Sequence, residues 1–310
     1  MKNKNNKNFK AGIIIGPSGI GQAHIREFIK YGISNIGLLG RKFKKNRVSN
    51  LSFKVKEGIS FFNLREKKLI KKLKPTVISI CSSIEKHHIH INEFSKYCKN
   101  LIIEKPLIWI KNKKTNNYNY AKKLLKNEKT KLFLNLPMIS LAKQLTHKEK
   151  IQKIKKIEFV YFTKGKNIFD NIAIDLLPHA ISFVLTFQKK TLKSFKILKV
   201  FKSRSLWSCK VMINNLYCYF IFKEDKKRTS SDLSFKINDN YYRRKQIFKD
   251  GEYVNSLIKN KKIIIKIKNP MSEYLRFMLS NFKNKKQIKK NNHIALNIIQ
   301  ITESLLKFKH

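Results

Sequence analysis

Two short stretches near the start of the chain carry residue types suited to holding a dinucleotide. Gly16-Pro17-Ser18-Gly19-Ile20-Gly21 follows an apolar run and precedes a helical one. A pyrophosphate needs a tight turn, a close backbone approach and a helix N-terminus facing its charge, and Gly16, Gly19 and Gly21 can supply these. Ser18 stands where the strict glycine fingerprint has its second glycine, and Ile20 lies between the last two. The plain alternative is a glycine turn of any strand-to-helix unit; the position after the first strand favours the cofactor. The next apolar run closes on Leu38-Leu39-Gly40-Arg41-Lys42 without an acid. A carboxylate there would bind the ribose 2′-hydroxyl of NAD, whereas arginine suits the 2′-phosphate of NADP, so Arg41 and Lys42 favour NADP, with NAD as the alternative.

Two further groups could act on a substrate. Glu104-Lys105-Pro106 follows the short run Leu101 to Ile103, so Glu104 and Lys105 would enter the crevice at the carboxyl ends of a parallel sheet. A lysine there could hydrogen-bond a substrate hydroxyl and steady oxyanion character; otherwise it is one lysine among 60. Asp175 and His179 stand four apart in an apolar helical stretch and share a face. A histidine can exchange a proton with a hydroxyl, and a neighbouring carboxylate can orient substrate and raise its basicity. The same pair could simply stabilise a helix. His87-His88-Ile89-His90 has no partner cysteines, and no metal is expected there.

These groups need elements to hold them. The first third alternates short β-branched runs (10–15, 36–39, 77–81, 101–103) with helical stretches (20–30, 65–73, 86–97), the pattern of a parallel sheet with crossover helices. Beyond about residue 155 the texture changes to alternating strands at 157–162, 192–201, 206–213, 216–222, 233–237 and 263–267. Asn214-Asn215 and Asp239-Asn240 read as turns between them, which suits an antiparallel sheet. Helices are expected at 171–187, 272–282 and 293–306. The fold class is therefore α/β: an N-terminal doubly wound Rossmann sheet over 1–110, then an α+β domain with a mainly antiparallel sheet over 111–310.

Composition narrows the function. Lys+Arg 69 against Asp+Glu 19 gives a net charge of +50, yet 42% of residues are apolar, enough for folded cores. Only 9 of the 69 are arginines, and lysines are spread through every segment, so no patch or motif for reading bases stands out. Non-specific sticking to polyanions is expected. Cys81, Cys98, Cys209 and Cys218 are too scattered for a zinc site or a disulfide framework. No window approaches the roughly 18 apolar residues of a membrane span, and 11–15 is too short for a signal segment, so a soluble cytoplasmic protein is expected.

Taken together, Gly16 to His24, Cys81-Ser82-Ser83 with His87, Glu104-Lys105-Pro106, and Asp175 with His179 resemble, in order and spacing, the Gfo/Idh/MocA oxidoreductases, relatives of glucose-fructose oxidoreductase and inositol dehydrogenase. The stretch from Asn269-Pro270 to Leu306 resembles that family's ending. The resemblance implies a C-terminal domain whose large open sheet makes oligomer contacts, as a dimer or tetramer. It implies that Lys105 is the substrate-binding and catalytic lysine, Asp175 a substrate-orienting acid and His179 the general acid/base. Glu104 and Pro106 would position Lys105, while Ser82, His87 and Glu104 would join the cofactor set. Ser18 and Ser83 depart from the family pattern. The expectation is an NAD(P)-dependent enzyme acting on a secondary alcohol or carbonyl of a sugar, cyclitol or related polyol. The alternative is a non-catalytic nucleotide-binding regulatory or scaffold protein.

Overall fold

The computed structural model describes residues 9–40, 59–63, 67–112, 115–127, 129–151, 153–188, 192–249 and 252–308. The chain divides into two units, one of residues 1–135 with 271–292, the other of 136–270 with 293–310.

The first unit is built on a six-stranded parallel sheet in the order β3-β2-β1-β4-β5-β6. Its strands are β1 (Ala11–Ile15), β2 (Asn35–Leu39), β3 (Ser60–Asn63), β4 (Val77–Ile80), β5 (Asn100–Ile103) and β6 (Lys131–Leu134). Residues Ala11 to Ile15 and Val77 to Ile80 are buried throughout, as strands covered on both faces must be. Crossovers run through α1 (Ile20–Lys30), α2 (Lys67–Leu73), α3 (His87–Phe94) and α4 (Asn117–Leu125). The expected helix over 86–97 is shorter: a 3₁₀ turn, Ile84–Lys86, leads into α3. β3, α4 and β6 were not anticipated, because each is short and lysine- or asparagine-rich at its margins.

The expected boundary at 110 moves to Asn135, because β6 pairs in parallel with β5 and completes the sheet. α7 (Pro270–Asn281) and the start of α8 (Lys285–Lys307) also belong here. Phe277 and Phe282 set their rings edge-on to Phe133 of β6, at 6.2 and 5.1 Å. Asn291 on α8 serves the open edge of β6: its Oδ1 accepts from the Leu134 amide at 2.8 Å and its Nδ2 donates to the Leu134 carbonyl at 2.9 Å. The amide side chain thus stands in for a seventh strand at one residue. α8 begins eight residues before the expected 293, since its lysine-rich first turns form helix without an apolar stripe to announce it.

The second unit holds α5 (Pro137–Glu149), α6 (Asp170–Gln188) and an eight-stranded sheet. Its strands are β7 (Lys156–Thr163), β8 (Phe195–Lys202), β9 (Leu206–Ile213), β10 (Leu216–Glu224), β11 (Asp232–Ile237), β12 (Asn240–Lys249), β13 (Glu252–Lys259) and β14 (Ile263–Ile267). They run in the order β14-β13-β12-β11-β7-β10-β9-β8. Neighbours are antiparallel except β7 and β10, which pair in parallel. Asn214 and Asn215 both take positive φ in the hairpin between β9 and β10, the conformation a two-residue turn demands. α6 lies on one face of the sheet, where Phe183 meets Phe159 and Phe235 at 5.5 and 4.8 Å between ring centres. β12 and β13 escaped the sequence reading because their outward residues, such as Arg243 and Lys245, break up the apolar signal. All four cysteines are buried. Among the described residues no helix is long and apolar enough to cross a membrane.

Candidate active site

In the first unit β1 lies between β2 and β4, the point where an open α/β sheet reverses its winding and leaves a crevice beyond the strand ends. The glycine turn sits there. Gly16 has φ +79°, and a Cβ on it would fall 2.6 Å from the Cys81 carbonyl oxygen. A side chain on Gly21 would collide with the Gly16 carbonyl. Gly19 (φ +59°) instead faces open space. α1 starts directly after it, with no side chain capping its N-terminus and no acid in its first turn. Two glycines that admit no side chain and a third that leaves room make a cradle that fits a pyrophosphate against a helix start. Ser18 and Ile20 are exposed on the rim of this turn. Gly40, at the end of β2, packs near Pro17, while Arg41 and Lys42 lie outside the described residues.

The sheet ladder continues past its strands: Cys81 donates its amide to Ile15 at 2.7 Å, Glu104 to Ile80 at 2.9 Å, and Asn135 to Ile103 at 2.8 Å. Ser82, Glu104 and Lys105 therefore line the same end of the sheet as the glycine turn. His87, at the start of α3, is fully buried between two carbonyls, Pro106 at 2.8 Å from Nδ1 and Ser82 at 2.9 Å from Nε2. Burial lowers its pKa, with the two carbonyls pulling the other way. His87 thus ties the loop after β4 to the loop after β5. Ser82 Oγ also lies 2.9 Å from His90 Nδ1.

Glu104 is buried, and its carboxylate is the hub of a polar cluster that sequence reading did not assemble. His24 of α1 places Nε2 2.7 Å from Glu104 Oε1, and its Nδ1 lies 2.6 Å from Ser79 Oγ. Asn135 donates to Glu104 Oε1 at 2.6 Å, and the Lys105 amide donates to Oε2 at 3.3 Å. Burial opposes charge on both partners. For His24 it is outweighed by Cys81 and Glu104, which raise its pKa to about 10. For Glu104 it is outweighed by the His24 and Asn135 bonds and the Lys105 charge, which hold the carboxyl below its ordinary range. The ion pair joins the helix of the glycine turn to the backbone that carries Lys105. A histidine one turn inside α1, facing the core, was the available signal for it.

The second unit carries Asp175 and His179. α6 is buried continuously from Ile172 to Leu185 except at these two positions, which are half-buried. With Asn171 they form one stripe at helical spacing. Pro178 lies between them and cannot donate to the helix ladder. The His179 ring meets Tyr161 of β7 edge-on, centres 5.4 Å apart, and the Arg244 guanidinium lies 6.0 Å from the same tyrosine ring. Asn167 approaches Asp175 Oδ2 with its Nδ2 at 3.5 Å. A second acid, Glu224 at the end of β10, shares this side-chain amide, accepting from Asn167 Nδ2 at 2.8 Å. It was missed in the sequence, although it continues the inward alternation of Leu216, Cys218, Phe220 and Phe222. Lys105 belongs to the first unit and the Asp175–His179 pair to the second.

No protein-family model matches the chain. No curated protein matches it either. Solved structures do. UDP-N-acetylglucosamine 3-dehydrogenase from Acidithiobacillus ferrooxidans is 10% identical, with 96% of each chain covered and a TM-score of 0.66. The WlbA dehydrogenase from Thermus thermophilus, solved with NAD and UDP-GlcNAcA, is 13% identical over 97% of this chain and 95% of its own, TM-score 0.61. A mutant 3-ketoreductase from Actinomadura kijaniata, solved with TDP-benzene and NADP, is 9% identical over 95% and 96%, TM-score 0.67. The chain has the fold of these dehydrogenases.

Proposed function

We propose that this chain is an NAD(P)-dependent oxidoreductase that moves a hydride between nicotinamide and the secondary alcohol or carbonyl carbon of a sugar, cyclitol or related polyol. The observation that carries the reading is the Gly16–Gly21 cradle at the β1/β4 switch point, with the Glu104-Lys105-Pro106 segment at the same sheet end. The names of the similar structures, two of which refer to UDP-linked sugars, support the substrate class.

Gly16, Ser18, Gly19, Ile20 and Gly21 would hold the pyrophosphate, flanked by Ser82, with His87 and Glu104 bracing the surrounding loops. Arg41 and Lys42 would favour the 2′-phosphate of NADP over NAD. A bound nicotinamide supplies or takes up the hydride. Lys105 would donate a hydrogen bond to the reacting oxygen and steady the negative charge that develops on it. His179 would take the hydroxyl proton in oxidation and return it in reduction, with Asp175 orienting the substrate and supporting its basicity. An acid-poor chain that keeps Asp175 beside His179 at the two openings of a buried helix supports these roles.

Titration with both nicotinamide cofactors, followed by a screen of sugars, cyclitols and their keto forms read by nicotinamide absorbance, tests the proposal. NADP is expected to bind more tightly than NAD, and Arg41→Asp to reverse the order. On an identified substrate Lys105→Met and His179→Ala should each lower kcat by roughly 10²-fold or more while cofactor binding persists. Near-wild-type turnover in both variants would sink the mechanism. Cofactor binding without turnover on any substrate would favour the non-catalytic nucleotide-binding alternative.

A further inference from the structure

We propose that Glu224 is a positioning residue for the reaction assigned above to Asp175 and His179: it shares one proton with Asp175, so that the two carboxyls carry a single negative charge and Asp175 is held in one orientation. This rests on the oxidoreductase reading.

Glu224 occupies a place where the sheet expects an apolar side chain. Every second residue of β10 from Leu216 points into the core beneath α6, and Glu224, 4% exposed, is the last of that row. A buried carboxylate is tolerated only with strong partners. The loop between β7 and α6 supplies them: the Asn167 amide donates to Oε2 at 2.9 Å and the Asn167 side chain donates to Oε1 at 2.8 Å. The loop is shaped around this carboxyl, since a Cβ on Gly165 would overlap Glu224 Oε2. Asn167 Nδ2 also faces Asp175 Oδ2 at 3.5 Å, so a single amide reaches both carboxyls and brings them together.

Two carboxyls brought together on one amide repel when both are ionised and can bond to each other only when one is protonated. Burial first, and then the Asp175 charge, push the Glu224 carboxyl above its ordinary range, against the opposing pull of Asn167. The assignment makes Glu224 the donor and Asp175 the acceptor. Other charged groups on the surrounding segments are Lys164 and Lys166 in the loop, Asp170 and His179 on α6, Lys223 and Asp225 beside Glu224, and Lys202 and Arg204 near the β8–β9 turn. Asp170 is paired with Lys202 at 3.3 Å. With Glu224 as a neutral donor, the carboxylate one helical turn from His179 keeps its charge and loses its rotational freedom.

The test combines carboxyl titration with kinetics. In protein labelled with ¹³C at the Asp and Glu carboxyls, Glu224 should titrate above the ordinary range, and Asp175→Asn should bring it down. Glu224 titrating in the ordinary range, unmoved by Asp175→Asn, overturns the proposal. Glu224→Gln keeps a neutral donor toward Asp175, so it should retain most of the turnover that Glu224→Ala loses. That loss should be roughly tenfold in kcat with little change in KM. Gly165→Ala, which displaces the carboxyl, should behave like Glu224→Ala. Equal damage from Glu224→Gln and Glu224→Ala also overturns the proposal. Coupled titration in a protein that turns over no substrate would overturn the oxidoreductase reading and the positioning role with it. Turnover without coupled titration would overturn the role of Glu224 alone.

Discussion

At the residue scale, each unit holds a buried acid whose charge is set by several groups packed around it. Against burial, the His24 and Asn135 bonds hold the Glu104 carboxyl below its ordinary range, whereas burial and then the Asp175 charge push that of Glu224 above it. The first pair has a consequence for stability. A histidine with a raised folded-state pKa binds its proton over a range in which the unfolded chain has lost it, so folding is favoured most when both states are protonated. The contribution of His24 should be fully present below about 6.5, the ordinary histidine value. It should shrink as pH rises from there and be gone above about 10, the folded value. Urea midpoints measured across this window should fall more steeply for the wild type than for His24→Gln. Parallel curves for the two proteins would show that His24 is neutral in the fold.

At the element scale, the loops after β4 and β5 and before α6 are braced by side-chain-to-backbone bonds rather than by longer strands. His87 joins the β4 and β5 loops, and Asn167 ties the loop before α6 to β10. Asn291 does the same for the edge of β6, where it answers both backbone groups of Leu134 and also reaches the Tyr274 hydroxyl at 2.8 Å. Asn291→Ala leaves those buried groups without a partner and should destabilise the protein by about 1–3 kcal/mol. The check is a lowered denaturation midpoint with an unchanged denaturant slope. A midpoint within error of the wild type would mean that water replaces the amide at that edge.

At the scale of the whole molecule, the net charge of +50 is carried mostly by lysines spread through every segment of the sequence. Attraction to polyanions should then be electrostatic and unselective, with affinity for DNA or heparin dropping steeply between low and physiological salt. Competition binding at several salt concentrations would reveal it. A complex that survives physiological salt and prefers one nucleic-acid sequence would require a binding site that lysine abundance does not explain. The expected dimer or tetramer is open to a sedimentation measurement.

Features with a local cause were legible in the amino-acid sequence alone. Helix α1 falls at Ile20–Lys30, the span its apolar spacing predicts, and Gly32 closes it at φ +94°, because periodicity and a glycine stop act within a few residues. The Asn214-Asn215 hairpin was readable for the same reason, since positive φ is a property of the turn residues themselves. The glycine cradle and the Asp175–His179 stripe were also visible, each spanning only a few residues. Tertiary structure decided what depends on strands meeting from afar. The parallel pairing of β7 with β10, the return of 271–292 to the first unit, and the sixth strand β6 all arise from burial of apolar faces by distant segments, which leaves no mark at any one position. The acid pairings belong to the same class. His24 and Glu104 stand 80 positions apart. Alternation along β10 marks Glu224 as inward-facing, but no local pattern names the partner either acid meets, because the energy of that charge is set by the groups folding brings around it.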